Sequence, residues 1–268
     1  MEIIFTLYVA IIGLIIGSFL NVCIYRIPKG ENIAFPPSHC GSCGKRLHAL
    51  DLVPVFSWLF LKGKCRYCGS KISPRYTLVE LMTGLIFAIL YNTFGISLDL
   101  LASAFLMSLL IPVFFIDLDY KIIPDEIVVT GLVAGAIIIV SNIFFPLEIY
   151  RGGQWWDPIL GMIAGSGTLL LIGLMASKIY KTDEAMGGGD IKIFAPIGIF
   201  LGWKMTFFAL FISIVIAGVT SFILIVLKVK DRRSTIPFGP FIVIGTFITY
   251  IYGWDIINLY INSLISRI

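Results

Sequence analysis

Long apolar runs separated by short polar ones recur along almost all of the 268-residue chain. Crossing the hydrocarbon core takes roughly 20 apolar residues in a helix. The runs predict spans at about Ile3 to Val22, Leu78 to Tyr91, Leu98 to Ile116, Ile127 to Phe145, Pro158 to Ala176, Ile191 to Leu201, Thr206 to Leu227 and Phe238 to Tyr252. The sixth of these eight is too short to cross alone unless it draws on its flanks or sits in a thinned region. The tail from Trp254 to Ile268 either lies at the interface or extends the last span. The first run lacks the basic start and small-residue cleavage site of a signal peptide, and reads as a retained span.

Composition agrees with the pattern. The chain is 58% hydrophobic and 13% charged, which excludes an ordinary soluble domain. The predicted fold class is an all-α polytopic membrane protein of about eight transmembrane helices, with a small zinc-ribbon-like cytoplasmic loop domain and short strands around its metal. Residues 1–23 form the first helix, 24–77 the loop domain, and 78–268 a seven-helix membrane domain.

Charge sets the orientation. Nine Lys and Arg against two acids (Glu31 and Asp51) lie between Ile24 and Thr77, a surplus of seven against a net +4 for the chain. Short basic loops stay in the cytoplasm. With this loop inside, the eight spans also place Lys121, Lys178, Lys181 and the Lys228 to Arg233 cluster inside, leaving Arg151, Lys204 and the tail's Arg267 opposite. Both termini are then outside. A nucleic-acid patch is the competing reading of the basic loop; topology explains it more simply, and no nucleic-acid partner is expected.

Two acids stand at span ends. Asp190 follows Gly187, Gly188 and Gly189 at the start of the sixth run, and Asp117 ends the third. Carboxylates at a membrane boundary are costly to desolvate and are read as functional by default. On the cytoplasmic face at equal depth, the two form a candidate dyad. One protonated carboxyl polarises a carbonyl while the other takes a proton from water. The glycines let a substrate backbone approach and reach dihedrals that other residues resist. A glycine-rich loop with a capping aspartate reads equally well locally. Asp119 points about 200° from Asp117 on a helix, and Asp125, after Pro124, suits an N-cap. A different class of function, an ion-coupled transporter using Asp117 and Asp190, would need them near the bilayer midplane in interrupted helices of matching repeats.

The basic loop carries Cys40-Gly-Ser-Cys43 and Cys65-Arg-Tyr-Cys68, with 21 residues between the pairs. In a cytoplasmic loop disulfides are disfavoured, and four thiolates suit a closed, structural Zn²⁺ site. His39 and His48 are nearby, but four sulfurs complete the shell. Cys23 reads as a packed thiol.

Together these motifs resemble the bacterial type IV prepilin peptidases, bifunctional leader peptidases and N-methyltransferases of the membrane aspartyl class. Gly17-Ser-Phe-Leu-Asn-Val22 with Tyr25-Arg-Ile-Pro28 is similar to the family's opening. The cysteine pairs and Arg75-Tyr-Thr-Leu-Val-Glu80 are similar to its cytoplasmic domain. Ile116-Asp117 with Ile123-Pro-Asp125 and Gly187-Gly-Gly-Asp190-Ile-Lys192 are similar to its two aspartyl motifs, and Pro237-Phe-Gly-Pro240 to the segment before its last span. The resemblance implies catalytic Asp117 and Asp190, with cleavage of prepilin or pseudopilin leaders on the cytoplasmic side. It further implies methylation of the new N-terminus from S-adenosylmethionine. Glu80 would serve that half or simply mark a helix end. Lys192, like Asp119 and Lys121, would position substrate, tune the dyad or mark the interface. No Gly-x-Gly-x-x-Gly fingerprint supplies a methyl-donor site.

Overall fold

The computed structural model describes residues 2–151, 154–181, 187–229, 231 and 235–265. They form helices α1 (Glu2–Arg26), α2 (Phe56–Phe60), α3 (Arg75–Phe94), α4 (Leu98–Tyr120), α5 (Asp125–Phe144), α6 (Asp157–Tyr180), α7 (Gly188–Val226) and α8 (Gly239–Ile265). Seven are long and apolar enough to cross a membrane, so the all-helical multi-pass class read from the sequence holds. The short strands expected around the metal reduce, among the described residues, to two single bridges, His39 with Arg46 and Lys64 with Lys71. The tail continues α8 as far as Ile265.

The chain divides into two compact units, Met1–Leu100 and Leu101–Ile268. In the first, α1 and α3 pair antiparallel. Thr6 Oγ1 donates to Asn92 Oδ1 (2.8 Å) near one end, and Asn21 Nδ2 to the Tyr76 carbonyl (2.9 Å) near the other. Between them, a Cβ on Gly13 would come within 2.8 Å of Phe87, and one on Gly17 within 2.8 Å of the Glu80 backbone. Lipid gives apolar helices no hydrophobic reason to associate, so close backbone approach through small residues does that work.

In the second unit α7 runs for 39 residues, about 58 Å if straight, nearly twice the hydrocarbon thickness. It is not straight. Gly202 has φ 71, ψ 167, outside the helical region. A Cβ on Gly165 of α6 would lie 2.7 Å from the Phe194 carbonyl oxygen and 3.0 Å from Thr206 Cγ2. In a continuous helix those two residues would be about 18 Å apart. The chain therefore doubles back at Gly202 into two arms, 188–201 and 203–226. These are the separate sixth and seventh runs read from the sequence.

The first arm is wedged between neighbours. On α5, Gly131 faces Pro196 and Gly135 faces Ile199, while on α6 Gly161 meets the Gly198 backbone. Phe200 stacks with Phe105 of α4, with centroids 6.2 Å apart. At the break, the Tyr150 hydroxyl donates to the Ile199 carbonyl (2.6 Å), and the Thr206 hydroxyl to that of Gly202 (2.6 Å). Carbonyls freed by the reversal are thus satisfied by protein, as hydrocarbon requires.

Gly202 also leaves no room for a side chain, since a Cβ would lie 2.9 Å from the Tyr150 ring. With a backbone conformation open essentially to glycine alone, Gly202→Ala should cost about 1–3 kcal/mol. A lowered midpoint of thermal unfolding in detergent would register it, and an unchanged midpoint would contradict the reversal.

Candidate active site and metal centre

Asp117 occupies the last turn of α4 and is buried, at 5% exposure, while Asp119 two residues on is exposed. The 200° separation expected on a helix is what divides them. Asp190 lies in the first turn of α7, half-buried. The two carboxyls are near enough for their charges to interact. The surrounding turns bring this about. Gly189 packs on Ile123 of the α4–α5 connection, where a Cβ would come within 3.0 Å. Lys121 caps α4, its amide donating to the Asp117 carbonyl (2.9 Å) and its ammonium to Thr235 Oγ1 (2.7 Å).

The triple glycine is used differently from the expectation. None of the three has a positive φ, and Gly187 sits at φ −62, ψ 122, which any residue can adopt. Closeness is the requirement instead. A Cβ on Gly187 would lie 2.8 Å from an Asp190 oxygen, and Gly188 faces open space. Asp125 is not an N-cap either: Pro124 holds that position and Asp125 is the first helical residue. Lys192 reaches Asp125 Oδ1 at 2.8 Å, an exposed pair joining the starts of α5 and α7, and such pairs add little stability.

One member of the site had no role in the sequence reading beyond the Pro237 to Pro240 resemblance. The Gly239 amide, at the start of α8, donates to Asp117 Oδ2 at 2.7 Å. A Cβ there would come within 2.9 Å of the Asp117 Cβ. The helix N-terminus thus offers Asp117 an N–H that a larger residue would push away.

In the first unit the four sulfurs of Cys40, Cys43, Cys65 and Cys68 lie within 4.8 Å of one another, and Cys40 and Cys68 are 3.9 Å apart. A tetrahedron with Zn–S of about 2.3 Å has edges of about 3.8 Å, so the cluster has the size for a metal ion. The two pairs are built alike. Gly44 N donates to Cys40 O (2.8 Å) and Gly69 N to Cys65 O (2.9 Å), and both glycines have positive φ. Amides of Cys43 and Ser42 and the Ser70 hydroxyl hold the Cys40 thiol down to about 6, whereas Cys43, although the Lys45 amide lowers it, is pushed up to about 11 by burial and by its Cys68 and Cys40 neighbours.

Asp51 links the 3₁₀ turn Ala49–Asp51 to the second pair. It accepts from Tyr67 Oη (2.8 Å), His48 N (3.1 Å) and Arg66 Nε. Burial pushes its carboxyl up, but those donors outweigh it and leave it below the usual range.

Glu80 lies in the second turn of α3, buried at 8% exposure. It accepts the Val55 amide at 2.7 Å, with Ser18 as a further partner.

Residues 11–94 match the Bacterial Peptidase A24 N-terminal domain, and residues 104–222 the Type IV leader peptidase family. A Bacillus subtilis (strain 168) protein named prepilin leader peptidase/N-methyltransferase is 37% identical over 94% of this chain and 96% of its own length. The chain belongs to the type IV leader peptidase family. Proteins of the same name from Aeromonas salmonicida (strain A449) and Legionella pneumophila are 32% and 31% identical, each over 96% of this chain and 94% of theirs. No solved structure matches it. Family membership favours the peptidase over the transporter as the meaning of the two acids.

Because its folded carboxyl is lowered, Asp51 adds stability above the ordinary carboxylate range, and this is lost as the pH falls through the folded value. Asp51→Asn should lower the stability of the loop by about 1 kcal/mol at neutral pH after solvent screening. The difference from wild type should shrink below about pH 4. Near-ultraviolet circular dichroism of thermal unfolding would measure both.

Proposed function

We propose that this protein is an aspartyl endopeptidase of the cytoplasmic membrane that removes the leader of type IV prepilins or pseudopilins and then methylates the new N-terminus. The observation that carries the peptidase half is the approach of Asp117 and Asp190, each at a helix terminus, in a member of this family. Asp117 and Asp190 share one proton, because two carboxylates whose charges interact resist double ionisation. The protonated carboxyl hydrogen-bonds the scissile carbonyl while the ionised one takes a proton from water, which attacks the carbonyl carbon. The proton then passes to the leaving amine as the C–N bond breaks. The couple titrates as a unit. Gly188, facing open space, admits the extended substrate backbone, and Gly187 leaves the Asp190 oxygen accessible.

The bias of basic residues supports a cytoplasmic site and an N-terminus outside. The functional division we adopt is residues 1–23, 24–77 and 78–268. Cys40, Cys43, Cys65 and Cys68 hold a structural Zn²⁺, consistent with sulfur spacing close to that of a tetrahedron, and the ion folds a loop too polar to build a sizeable core. S-adenosylmethionine, when bound, supplies the methyl group. The described residues contain no strand–glycine loop–helix cradle for such a nucleoside, so no residue is assigned to it. Glu80 serves the methyl-transfer half, and Lys192 supports the peptidase site through its pair with Asp125.

With purified protein and a prepilin-like peptide, Asp117→Asn or Asp190→Asn should each lower cleavage by about 10²–10⁴-fold or more. Cleavage at the wild-type rate by either variant would refute the dyad. Changing the four cysteines to serine should abolish zinc binding and loosen the loop. Zinc retained in that variant, measured by elemental analysis, would reject the ligand set.

A further inference from the structure

Val55 adopts φ 63, ψ −53, the rare and strained form of the γ-turn. The turn is closed by Phe56 N donating to the Pro54 carbonyl at 2.6 Å. A β-branched side chain is poorly suited to positive φ, and Val55 is also buried, at 8% exposure. Strain of this kind persists only where the surroundings over-determine it. Here the restraint is Glu80, whose carboxylate, equally buried, accepts the Val55 amide at 2.7 Å. The carboxylate reaches Val55 from α3 across 25 residues of chain, and the Ser18 hydroxyl joins it from α1. A buried anion is therefore satisfied in part by a neutral amide that is held in place against its own backbone preference.

We propose that Glu80 is the receiving anion for the free α-amino group of the cleaved substrate, and that the Val55 amide is its resting occupant. This rests on the methyl-transfer half of the reading above. Before cleavage, the residue that will become the new N-terminus presents a neutral peptide N–H, no better a donor than Val55. After cleavage it presents an ammonium with a positive charge and three N–H groups. Charge-assisted hydrogen bonds are about twice as strong as neutral ones, and a buried carboxylate gains most from a cationic partner that also hydrogen-bonds. Exchange releases the strained turn as well. The site thereby senses that the peptide bond has been cut, and orders methylation after cleavage.

The test uses full-length protein in detergent and two peptides beginning at the mature N-terminus, one with a free α-amine and one N-acetylated. Each carries a fluorophore at its far end, and binding is read by anisotropy. Wild type should prefer the free amine by about tenfold or more. Glu80→Gln should lose that preference, with a circular dichroism spectrum and thermal midpoint in detergent that show it is folded. Val55→Gly tolerates the turn without side-chain strain, so it should weaken free-amine binding by about fivefold and leave the acetylated peptide unaffected. Equal binding of the two peptides by wild type, or an undiminished preference in Glu80→Gln, would overturn the proposal. If Glu80→Gln does not fold, Val55→Gly decides, and an unaltered preference there refutes the exchange. Amine-selective binding without methyl incorporation would instead sink the methyl-transfer reading and leave the amine site standing.

Discussion

Hydrocarbon cannot hydrogen-bond a peptide group, so wherever a helix in this protein starts, stops or reverses out of reach of water, its backbone groups must be satisfied by protein. That constraint organises the second unit. At Gly202 the freed carbonyls turn to Tyr150 and Thr206. At the start of α8, the Gly239 amide turns to Asp117. The candidate site is made from helix ends because helix ends are where unsatisfied backbone groups and costly carboxylates solve each other's problem.

Packing then decides how finely those ends are placed. The arm bearing Asp190 lies against α5 and α6 through glycine pairs four residues apart, Gly131 with Gly135 and Gly161 with Gly165. Contacts this close leave little freedom for the arm to slide. Removing side chains from the interface thus positions a side chain at the arm's end. Gly187 and Gly189 continue the same logic beside the carboxylate itself, one against Asp190 and one against Ile123.

The first unit solves a different problem, since residues between α1 and α3 are too polar and too few for a core of their own. Two like-built cysteine turns, Asp51 with its three donors and the buried Arg26, whose guanidinium holds the Asn32 and Pro36 carbonyls at 2.9 and 2.7 Å, stand in for one. Against this economy, the strained Val55 turn stands out. It is held by a buried carboxylate from α3.

Periodicity, charge bias and motif spacing made most of this protein legible. Apolar length alone specifies the helices, because the bilayer imposes a thickness, and the sixth and seventh of the eight runs are the two arms of α7 on either side of Gly202. Two Cys-x-x-Cys pairs mark a cluster that could hold a metal ion, because four sulfurs this close together suit one. Asp117 and Asp190 stood out because charge in an apolar setting is costly. The Gly-x-x-x-Gly pairs at 13, 131 and 161 were also present to be read, though what they pack against was not. Sequence alone could not show that Gly239 binds Asp117 across 122 positions, that Lys192 faces Asp125, or that Val55 lies under Glu80. Those pairings depend on which helix faces meet and how closely. Local chemistry sets what a residue can do; the packing of distant segments sets what it does it to.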